Sequence, residues 1–276
     1  MELQANLARI REQQLGLAAI SYDSPAVLKA FADRTYITFP LLSDTGSKVI
    51  RAWGLLNENV PANTPQYGIP HPGTFILDGN GVVVSRFFED DFRERYTASE
   101  ILVRQFGAAP GAPQTEMENR HLRLVNSASL AGARWGQRIA LVLDVDLKPG
   151  MHVYAPGVQG YIPIDWSMTE SPAIKVHEAT YPPSQQINLP AIHETVPAYK
   201  GKFQIVRDIT IGTDAHVKPS LNEKGELVIR GTFRYQACDD RTCYLPETLP
   251  LTWNLRYEGL DRQRAPAELQ RKGSGK

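Results

Sequence analysis

The spacing of hydrophobic residues changes character near residue 107 of the chain. Before that point helical and strand-like intervals alternate; Leu3, Leu7 and Ile10, for example, recur at the spacing of one helix face. An α/β domain is therefore expected over residues 1–106. Its predicted elements are a helix over 2–14, a strand over 15–22, a helix beginning at Pro25, an extended piece at 39–42, a helix between Asp44 and Gly54, a hairpin over 73–84 and a helix over 97–106.

Beyond this point the pattern indicates a series of short strands. Residues 107–118 begin with a stretch of glycine and proline that lacks periodicity, and they are predicted to be a linker. Residues 119–258 alternate apolar and polar positions in short runs, which is typical of an all-β sandwich. A polar tail is expected over 259–276. The predicted strands are 121–126, 137–146, 162–168, 173–178, 203–211, 226–236 and 249–257.

Composition and charge narrow the classes of function. The chain has 276 residues with 30 basic and 30 acidic side chains, so no net field favours nucleic acid or an anionic membrane as a partner. No apolar run approaches the roughly 18 residues of a membrane span. Met1 is followed directly by an amphipathic segment, without a basic and apolar signal region. Either the protein is cytosolic, or its natural N-terminus lies upstream and carries the signal.

The two cysteines, Cys238 and Cys243, are the main candidates for chemistry. Strand-like runs at 227–233 and 249–253 flank them, so the cysteines are expected on either side of a hairpin tip. Paired hairpin positions bring Cα atoms to about 4.5–5.5 Å, which a disulfide accepts. The same pair could instead be a structural staple, since closing a loop this short stabilises a fold by about 2 kcal/mol.

A zinc site is a further alternative for the cysteine pair, because Cys-x2–4-Cys is a common zinc-ligand spacing. The other ligands would have to come from a set of histidines that lack paired spacing: His152, His177, His193 or His216. The chain has no phosphate-binding glycine loop and no Gly-x-Ser-x-Gly or His-Glu-x-x-His motif. The sequence therefore predicts no cofactor and no metal.

Three stretches of the first domain resemble the redoxin family, the thioredoxin-fold group of alkyl hydroperoxide reductases and thiol-specific antioxidant proteins. They are Leu17 to Ser24, Phe39 to Asp44 and Pro72 to Asp78, in the order that the family has. Redoxins react through a cysteine at the start of their first helix, where the helix dipole lowers the thiol pKa. That position would precede Met1, and no cysteine occurs between residues 1 and 237.

The resemblance thus implies an N-terminally truncated thioredoxin-like domain that also lacks a central strand. Unpaired buried backbone groups cost about 1–3 kcal/mol each, so such a domain is expected to be marginally stable. We expect the natural product to begin upstream of Met1. Peroxidase activity is not expected from the chain as given, because this domain has no nucleophilic sulfur.

The second domain resembles the N-terminal periplasmic domain of the thiol:disulfide interchange protein DsbD, an immunoglobulin-like sandwich. The resemblance is strongest over Tyr235 to Thr248, with support from Leu147 to Tyr154 and from Tyr199 to Gly201. It implies a module that exchanges disulfides with a thioredoxin-like protein or a membrane reductase domain. It also implies a periplasmic or other extracytoplasmic location, which the chain itself leaves open.

The resemblance assigns the catalytic roles within the pair: Cys243 forms the mixed disulfide and Cys238 resolves it. The residues alone do not decide this, since Arg241 favours a thiolate while Asp239 and Asp240 oppose one. In the family a cap loop with an aromatic residue shields the pair. The matching region, 190–197, contains Ile192, His193 and Glu194 and no aromatic residue, which puts the shielding in doubt.

These observations lead to one main hypothesis and one alternative. The main hypothesis is a thiol–disulfide oxidoreductase in which Cys238 and Cys243 exchange disulfides with a partner protein and the redoxin domain has lost, or lies downstream of, its reactive cysteine. The alternative is a non-catalytic binding protein in which both folds recognise partners and the cysteine pair is only a staple.

Overall fold

A computed structural model describes residues 2–89, 91, 93–189, 194–261 and 263–270. Contacts between Cα atoms divide the chain into two compact units. The first contains the described residues of Met1–Ala98 and Leu260–Lys276, and the second is Ser99–Gly259. Each unit is described separately below.

The first unit contains four short helices before its hairpin. The expected helix over 2–14 is two helices, because Asn6 interrupts it and its side-chain amide donates to the backbone oxygen and the carboxylate of Glu2. The next helix begins at Pro25 as predicted, and Ser24 Oγ caps it by accepting from the amide of Val27 at 3.4 Å. The helices are α1 (Glu2–Ala5), α2 (Leu7–Glu12), α3 (Pro25–Thr35) and α4 (Lys48–Ala52).

Four strands of the first unit form two separate two-stranded sheets. The expected strand over 15–22 is shorter, because its parallel pairing covers only three positions. The predicted hairpin is confirmed, with a turn at Asp78 whose amide donates to the oxygen of Val82 at 2.9 Å. The strands are β1 (Ala19–Ser21), β2 (Leu41–Ser43), β3 (Gly73–Leu77), β4 (Val83–Phe88) and β5 (Arg95–Tyr96); β1 pairs with β2 and β3 with β4.

All seven strands predicted for the second half of the chain are present, together with others that were not predicted. The strands are β6 (Thr115–Glu118), β7 (Leu122–Ala128), β8 (Gly132–Ala133), β9 (Gln137–Leu147), β10 (His152–Tyr154), β11 (Asp165–Met168), β12 (Ile174–Thr180), β13 (Gln185–Leu189), β14 (Glu194–Lys200), β15 (Lys202–Ile211), β16 (Glu226–Tyr235), β17 (Ala237–Cys238) and β18 (Glu247–Tyr257). The helices are α5 (Ala98–Phe106) and α6 (Asp214–Val217).

Two sheets form the sandwich of the second unit. The large sheet has the strand order β12-β15-β9-β7-β6, and the facing sheet has the order β11-β16-β18-β8. Along β18 the side chains of Leu251, Trp253 and Leu255 are buried and alternate with exposed neighbours, so one face of the strand meets the core. Trp253 stacks on Trp166 from β11 with ring centroids 5.8 Å apart at the centre of the sandwich.

Helix α5 covers the outer face of the large sheet, which explains why β9 is buried on both faces. Val103 packs against Ala140 and Val142 of that strand. Beside it, the buried carboxylate of Asp208 accepts from Arg104 at 2.7 Å and from Arg138 at 2.9 Å. Most of this helix therefore lies in the second compact unit.

Part of the segment predicted to be a linker is held on the sandwich. The amide of Ala112 donates to the oxygen of Ala128 at 3.0 Å. Residues Thr115–Glu118 form β6, which pairs with β7, and Met117 packs against the core. The alternation in Thr-Glu-Met-Glu is that of an edge strand with one inward position.

A third, smaller sheet of the second unit positions the cysteines. Its strand order is β13-β14-β10-β17. One face of this sheet, with Val153, Tyr199 and Ala237, joins the main core. The opposite face forms a separate apolar cluster around Cys238.

Candidate functional site

The cysteine pair lies where the chain passes from one sheet to another and back. Strands β16 and β18 pair antiparallel in the facing sheet, and their last partners toward the tip are Tyr235 and Glu247. Beyond Tyr235 the chain enters the small sheet, where Ala237 and Cys238 pair with β10. The predicted position of the cysteines at a hairpin tip is thus observed, although the tip belongs to a different sheet from the stem.

Cys238 and Cys243 form a disulfide with an S–S distance of 2.06 Å. Their Cα atoms are 4.1 Å apart, slightly closer than the predicted pairing distance. The two residues differ in exposure: Cys238 is 1% exposed, whereas Cys243 is exposed. Cys243 is therefore the member of the pair that lies at the surface, and Cys238 is enclosed.

The turn between the cysteines is held by backbone hydrogen bonds and by Asp239. The amide of Asp239 donates to the oxygen of Thr242 at 2.9 Å, and the amide of Tyr244 donates to the oxygen of Ala237 at 2.9 Å. Asp239 Oδ1 accepts from the amides of Arg241 and Thr242 at 2.8 and 2.7 Å. The hydrogen bond from the Arg241 amide, and then that from the Tyr244 hydroxyl, lower the pKa of Asp239.

Strand β10 lines the disulfide with His152 and Tyr154. His152 is the register partner of Cys238, and Tyr154 follows it by two positions, so both side chains lie on the face that carries the disulfide. The Tyr154 hydroxyl lies 3.6 Å from Cys243 Sγ. Both rings are 1% exposed, and they meet edge to face with centroids 5.5 Å apart.

An aromatic pair covers the buried side of the disulfide. Tyr161, from the segment that follows β10, lies against Tyr154 with ring centroids 4.4 Å apart and packs on the cluster that contains Cys238. The Tyr161 hydroxyl donates to the carboxylate of Glu194, and this hydrogen bond is the main reason that the pKa of Tyr161 rises to about 12. Aromatic cover thus comes from the segment that follows β10, whereas residues 190–197 contain no aromatic residue.

A polar network supports the base of the hairpin tip. The hydroxyl of Tyr235 donates to Glu247 Oε2 at 3.0 Å, and Asn119 Nδ2 donates to the same oxygen at 2.8 Å. Burial raises the pKa of Tyr235 to about 12. Beside this network the ring of His121 lies 4.6 Å from that of Tyr244. The tip therefore stands on a buried and hydrogen-bonded base.

The histidines considered as zinc ligands are dispersed among different elements. His152 lies beside the disulfide, His177 is hydrogen-bonded to Thr210 at 2.8 Å, and His216 lies in α6. His193, with Ile192 and the rest of residues 190–193, lies outside the described residues. Over the described part of the chain, no three His, Cys, Asp or Glu side chains are grouped to hold a metal ion.

The two cysteines are evident from the sequence, whereas the residues that surround them are not. Tyr154 and Tyr161 were not singled out as site residues, and His152 was considered only as a zinc ligand. A signal was present in His152-Val153-Tyr154, where a polar ring and a phenol share one strand face. The sequence does not predict the sheet that this strand joins, because its partner strands lie far away in sequence.

Each half of the chain matches a known protein family. Residues 1–86 match the AhpC/TSA family, and residues 125–252 match the family described as thiol:disulfide interchange protein DsbD, N-terminal. Both resemblances found in the sequence are confirmed, as is the order of a redoxin segment followed by an immunoglobulin-like β-sandwich. Together with the disulfide, the two families support a thiol–disulfide redox function.

Relatives of known name match the first part of the chain. Alkyl hydroperoxide reductase E of Mycobacterium tuberculosis is 34% identical over 90 residues, which cover 32% of this chain and 53% of the relative. Chloroplastic peroxiredoxin Q of Gentiana triflora is 43% identical over 65 residues, which cover 23% of this chain and 27% of the relative. The chain spans about half the length of the mycobacterial relatives that it matches.

Two solved structures show a limited likeness to the chain. The N-terminal periplasmic domain of ScsB from Proteus mirabilis has a TM-score of 0.36 at 15% identity, covering 57% of this chain and 53% of that one. The reduced N-terminal domain of DsbD from Neisseria meningitidis has a TM-score of 0.30 at 11% identity, covering 42% of this chain and 78% of that one. Within the described residues, no helix has the length and hydrophobicity needed to cross a membrane.

Proposed function

We propose that the second unit is a thiol–disulfide exchange module that passes two electrons between the Cys238–Cys243 pair and a partner protein. The observation that carries this proposal is the unequal exposure of the two cysteines. A staple needs neither sulfur at the surface, whereas exchange needs one sulfur that a partner can approach and one that is held back to complete the reaction.

In the proposed reaction Cys243 is the sulfur that meets the partner. In the reduced protein its thiolate attacks one sulfur of the partner disulfide; a bond forms between Cys243 and that sulfur, and the other partner sulfur leaves as a thiolate. Cys238 then attacks Cys243 Sγ as a thiolate, re-forming the internal disulfide and releasing the second partner thiolate. The pair is oxidised by two electrons and the partner is reduced by two. The reverse sequence reduces the pair.

The surroundings of the pair support this division of roles. Cys243 is exposed and has the Tyr154 hydroxyl within 3.6 Å, a donor that can stabilise a thiolate. Cys238 is buried in an apolar cluster with Ile187, Val196 and Ala198. Burial disfavours a free thiolate at Cys238 and limits its contact with oxidants in solution.

The partner proposed for this module is a protein with a thioredoxin-like fold or a reductase domain, in line with the thiol:disulfide interchange family that its sequence matches. In the chain described here the sulfur chemistry resides in the second unit, because the two cysteines of the sequence both lie there. The redoxin segment is proposed to be fused to this carrier so that the two act at a high effective concentration.

Two single-cysteine variants test the roles of the sulfurs. Cys238→Ser leaves the exposed sulfur, and Cys243→Ser leaves the buried one. When each is mixed with oxidised glutathione, Cys238→Ser should form the mixed disulfide much faster, as followed by intact-protein mass spectrometry. Equal rates, or a faster reaction of Cys243→Ser, would contradict the assignment of Cys243 as the entry point.

The reduction potential separates exchange from the staple alternative. Equilibration of the wild-type protein with glutathione buffers should give a potential within the range of known carriers, from about −270 to about −120 mV. A pair that stays oxidised below about −300 mV behaves as a structural disulfide, and the alternative of a non-catalytic binding protein would then be preferred.

A further inference from the structure

His152 is a buried histidine whose polar atoms have no partner in the oxidised protein. It is 1% exposed, and neither Nδ1 nor Nε2 makes a hydrogen bond. Buried polar side chains are almost always hydrogen-bonded, so an exception calls for an explanation. The position of the ring beside the disulfide suggests one.

The backbone places this ring next to the sulfur that must react second. His152 and Cys238 are directly opposite each other on β10 and β17. The Cβ atoms of such pairs are about 4.5–5.5 Å apart, so the imidazole of His152 and the sulfur of Cys238 are neighbours on one face of the sheet. In the disulfide this sulfur carries no hydrogen. After reduction it carries an S–H that can be donated.

The charges around the ring favour its neutral form. Burial lowers the pKa of His152, and the ammonium of Lys200, its register partner on β14, lowers it further. Asp240 and Asp239 in the turn oppose this effect. The other group on the same strand face, Tyr154, is an uncharged phenol whose pKa burial raises. A neutral imidazole has a free lone pair that can accept a proton.

We propose that His152 is the proton acceptor for Cys238 in the resolving step of disulfide exchange. This inference rests on the proposed function, since it concerns the second half of that reaction. The apolar burial of Cys238 makes its thiol a poor source of thiolate, and the resolving step needs that thiolate. A base at the facing strand position supplies it at neutral pH.

With the partner sulfur bonded to Cys243, the Cys238 thiol gives its proton to an imidazole nitrogen of His152. The resulting thiolate attacks Cys243 Sγ, the internal S–S bond forms, and the bond to the partner breaks with its electron pair leaving on the partner sulfur. The proton on His152 then passes to that leaving thiolate or to water. In the reverse direction the partner thiolate attacks Cys243 Sγ, Cys238 leaves as a thiolate, and protonated His152 gives it a proton.

The two halves of the reaction can be timed separately with a chromogenic aromatic disulfide such as dithiobis(nitrobenzoate). The reduced protein should release one coloured thiolate when Cys243 attacks and a second when Cys238 resolves. In His152→Phe, which keeps an aromatic ring against Tyr154, the first phase should be unchanged at pH 7. The second should slow by about 10²-fold, the usual contribution of a general base.

The pH profile distinguishes a lost base from altered packing. Raising the pH ionises Cys238 without help, so the second phase of His152→Phe should approach the wild-type rate at alkaline pH. His152→Asn serves as a second variant in case His152→Phe fails to fold. Asparagine is polar but not basic, so this variant should show the same pH profile. His177→Phe, a change of the same kind at a hydrogen-bonded histidine of the sandwich, should leave both phases unchanged.

The outcomes separate the inference from the function on which it rests. Two phases with equal second rates in wild type and His152→Phe would overturn the role of His152 and leave the exchange reaction standing. A second phase that is slowed by the same factor at every pH in His152→Phe would also overturn this role, because that result indicates a packing effect. A wild-type protein that releases no thiolate at all would overturn the proposed function and the inference together.

Discussion

The hydroxyl of Tyr154 offers a direct way to test how the protein sets the affinity of the cysteine pair for electrons. Tyr154→Phe removes one oxygen atom from a ring that is 1% exposed and leaves the aromatic contacts with His152 and Tyr161 in place. The hydroxyl lies 3.6 Å from Cys243 Sγ. The change therefore isolates a single hydrogen bond to the exposed sulfur.

The expected change in reduction potential follows from the charge of the acceptor sulfur in the two redox states. A hydrogen bond to a neutral group contributes about 0.5–1.5 kcal/mol and one to a charged group about 1.5–3 kcal/mol, so the hydroxyl favours the thiolate over the disulfide by about 1 kcal/mol. For a two-electron couple 1.4 kcal/mol corresponds to about 30 mV. Tyr154→Phe should thus lower the potential by about 20 mV and raise the pKa of the Cys243 thiol.

The assay is equilibration of wild type and variant with glutathione buffers at one pH, with the thiol pKa measured from the pH dependence of alkylation. Tyr199→Phe is the matched control. Its hydroxyl donates to the oxygen of Pro182 at 2.9 Å, and its ring packs in the main core on the opposite face of the same sheet. The control should lose some stability without a change in potential. An unchanged or raised potential in Tyr154→Phe would refute the reasoning.

Three further predictions concern stability and can be checked by urea denaturation. Asp208→Ala leaves the partly exposed guanidinium groups of Arg104 and Arg138 without their shared carboxylate, and the free energy of unfolding should fall by roughly 3 kcal/mol. Gly231→Ala should cost roughly 1–3 kcal/mol, because a Cβ there would lie 2.6 Å from the backbone oxygen of Ser167; a neutral result would show that β11 can move away. The pKa of Tyr235 rises from 10.0 to about 12 on folding, so its contribution is complete below pH 10 and is lost as the pH rises toward 12. Stability should fall across that window in the wild type and fall less in Tyr235→Phe.

The strands of the sandwich could be predicted because their burial repeats every second residue. Leu251, Trp253 and Leu255 show the rule clearly, since each is buried and its neighbours are exposed. The short strand β10 and the polar strand β13 carry too few alternating positions to give this signal. They exist because they pair with β14, and pairing of this kind is set by tertiary contacts rather than by local spacing.

The candidate site was predictable only in its covalent part. Two cysteines flanked by strand-like runs identify a hairpin pair, because the spacing within the chain limits their separation. The chemical surroundings were not predictable in the same way. Tyr154 and His152 reach the disulfide only through the pairing of β10 with β17, and these strands are more than eighty residues apart. Likewise, the exposure of Cys243 and the burial of Cys238 depend on which sheet receives the tip.

The turn that joins the cysteines keeps its path without help from sulfur. The amide of Tyr244 bonds to the oxygen of Ala237, and that of Asp239 bonds to the oxygen of Thr242. Cutting the S–S bond therefore leaves two thiols facing each other on a frame that is already closed. In the proposed exchange reaction, such a pair can be oxidised and reduced repeatedly with little rearrangement of the chain. The dithiol then starts from nearly the geometry that the disulfide requires, and the disulfide from nearly that of the dithiol.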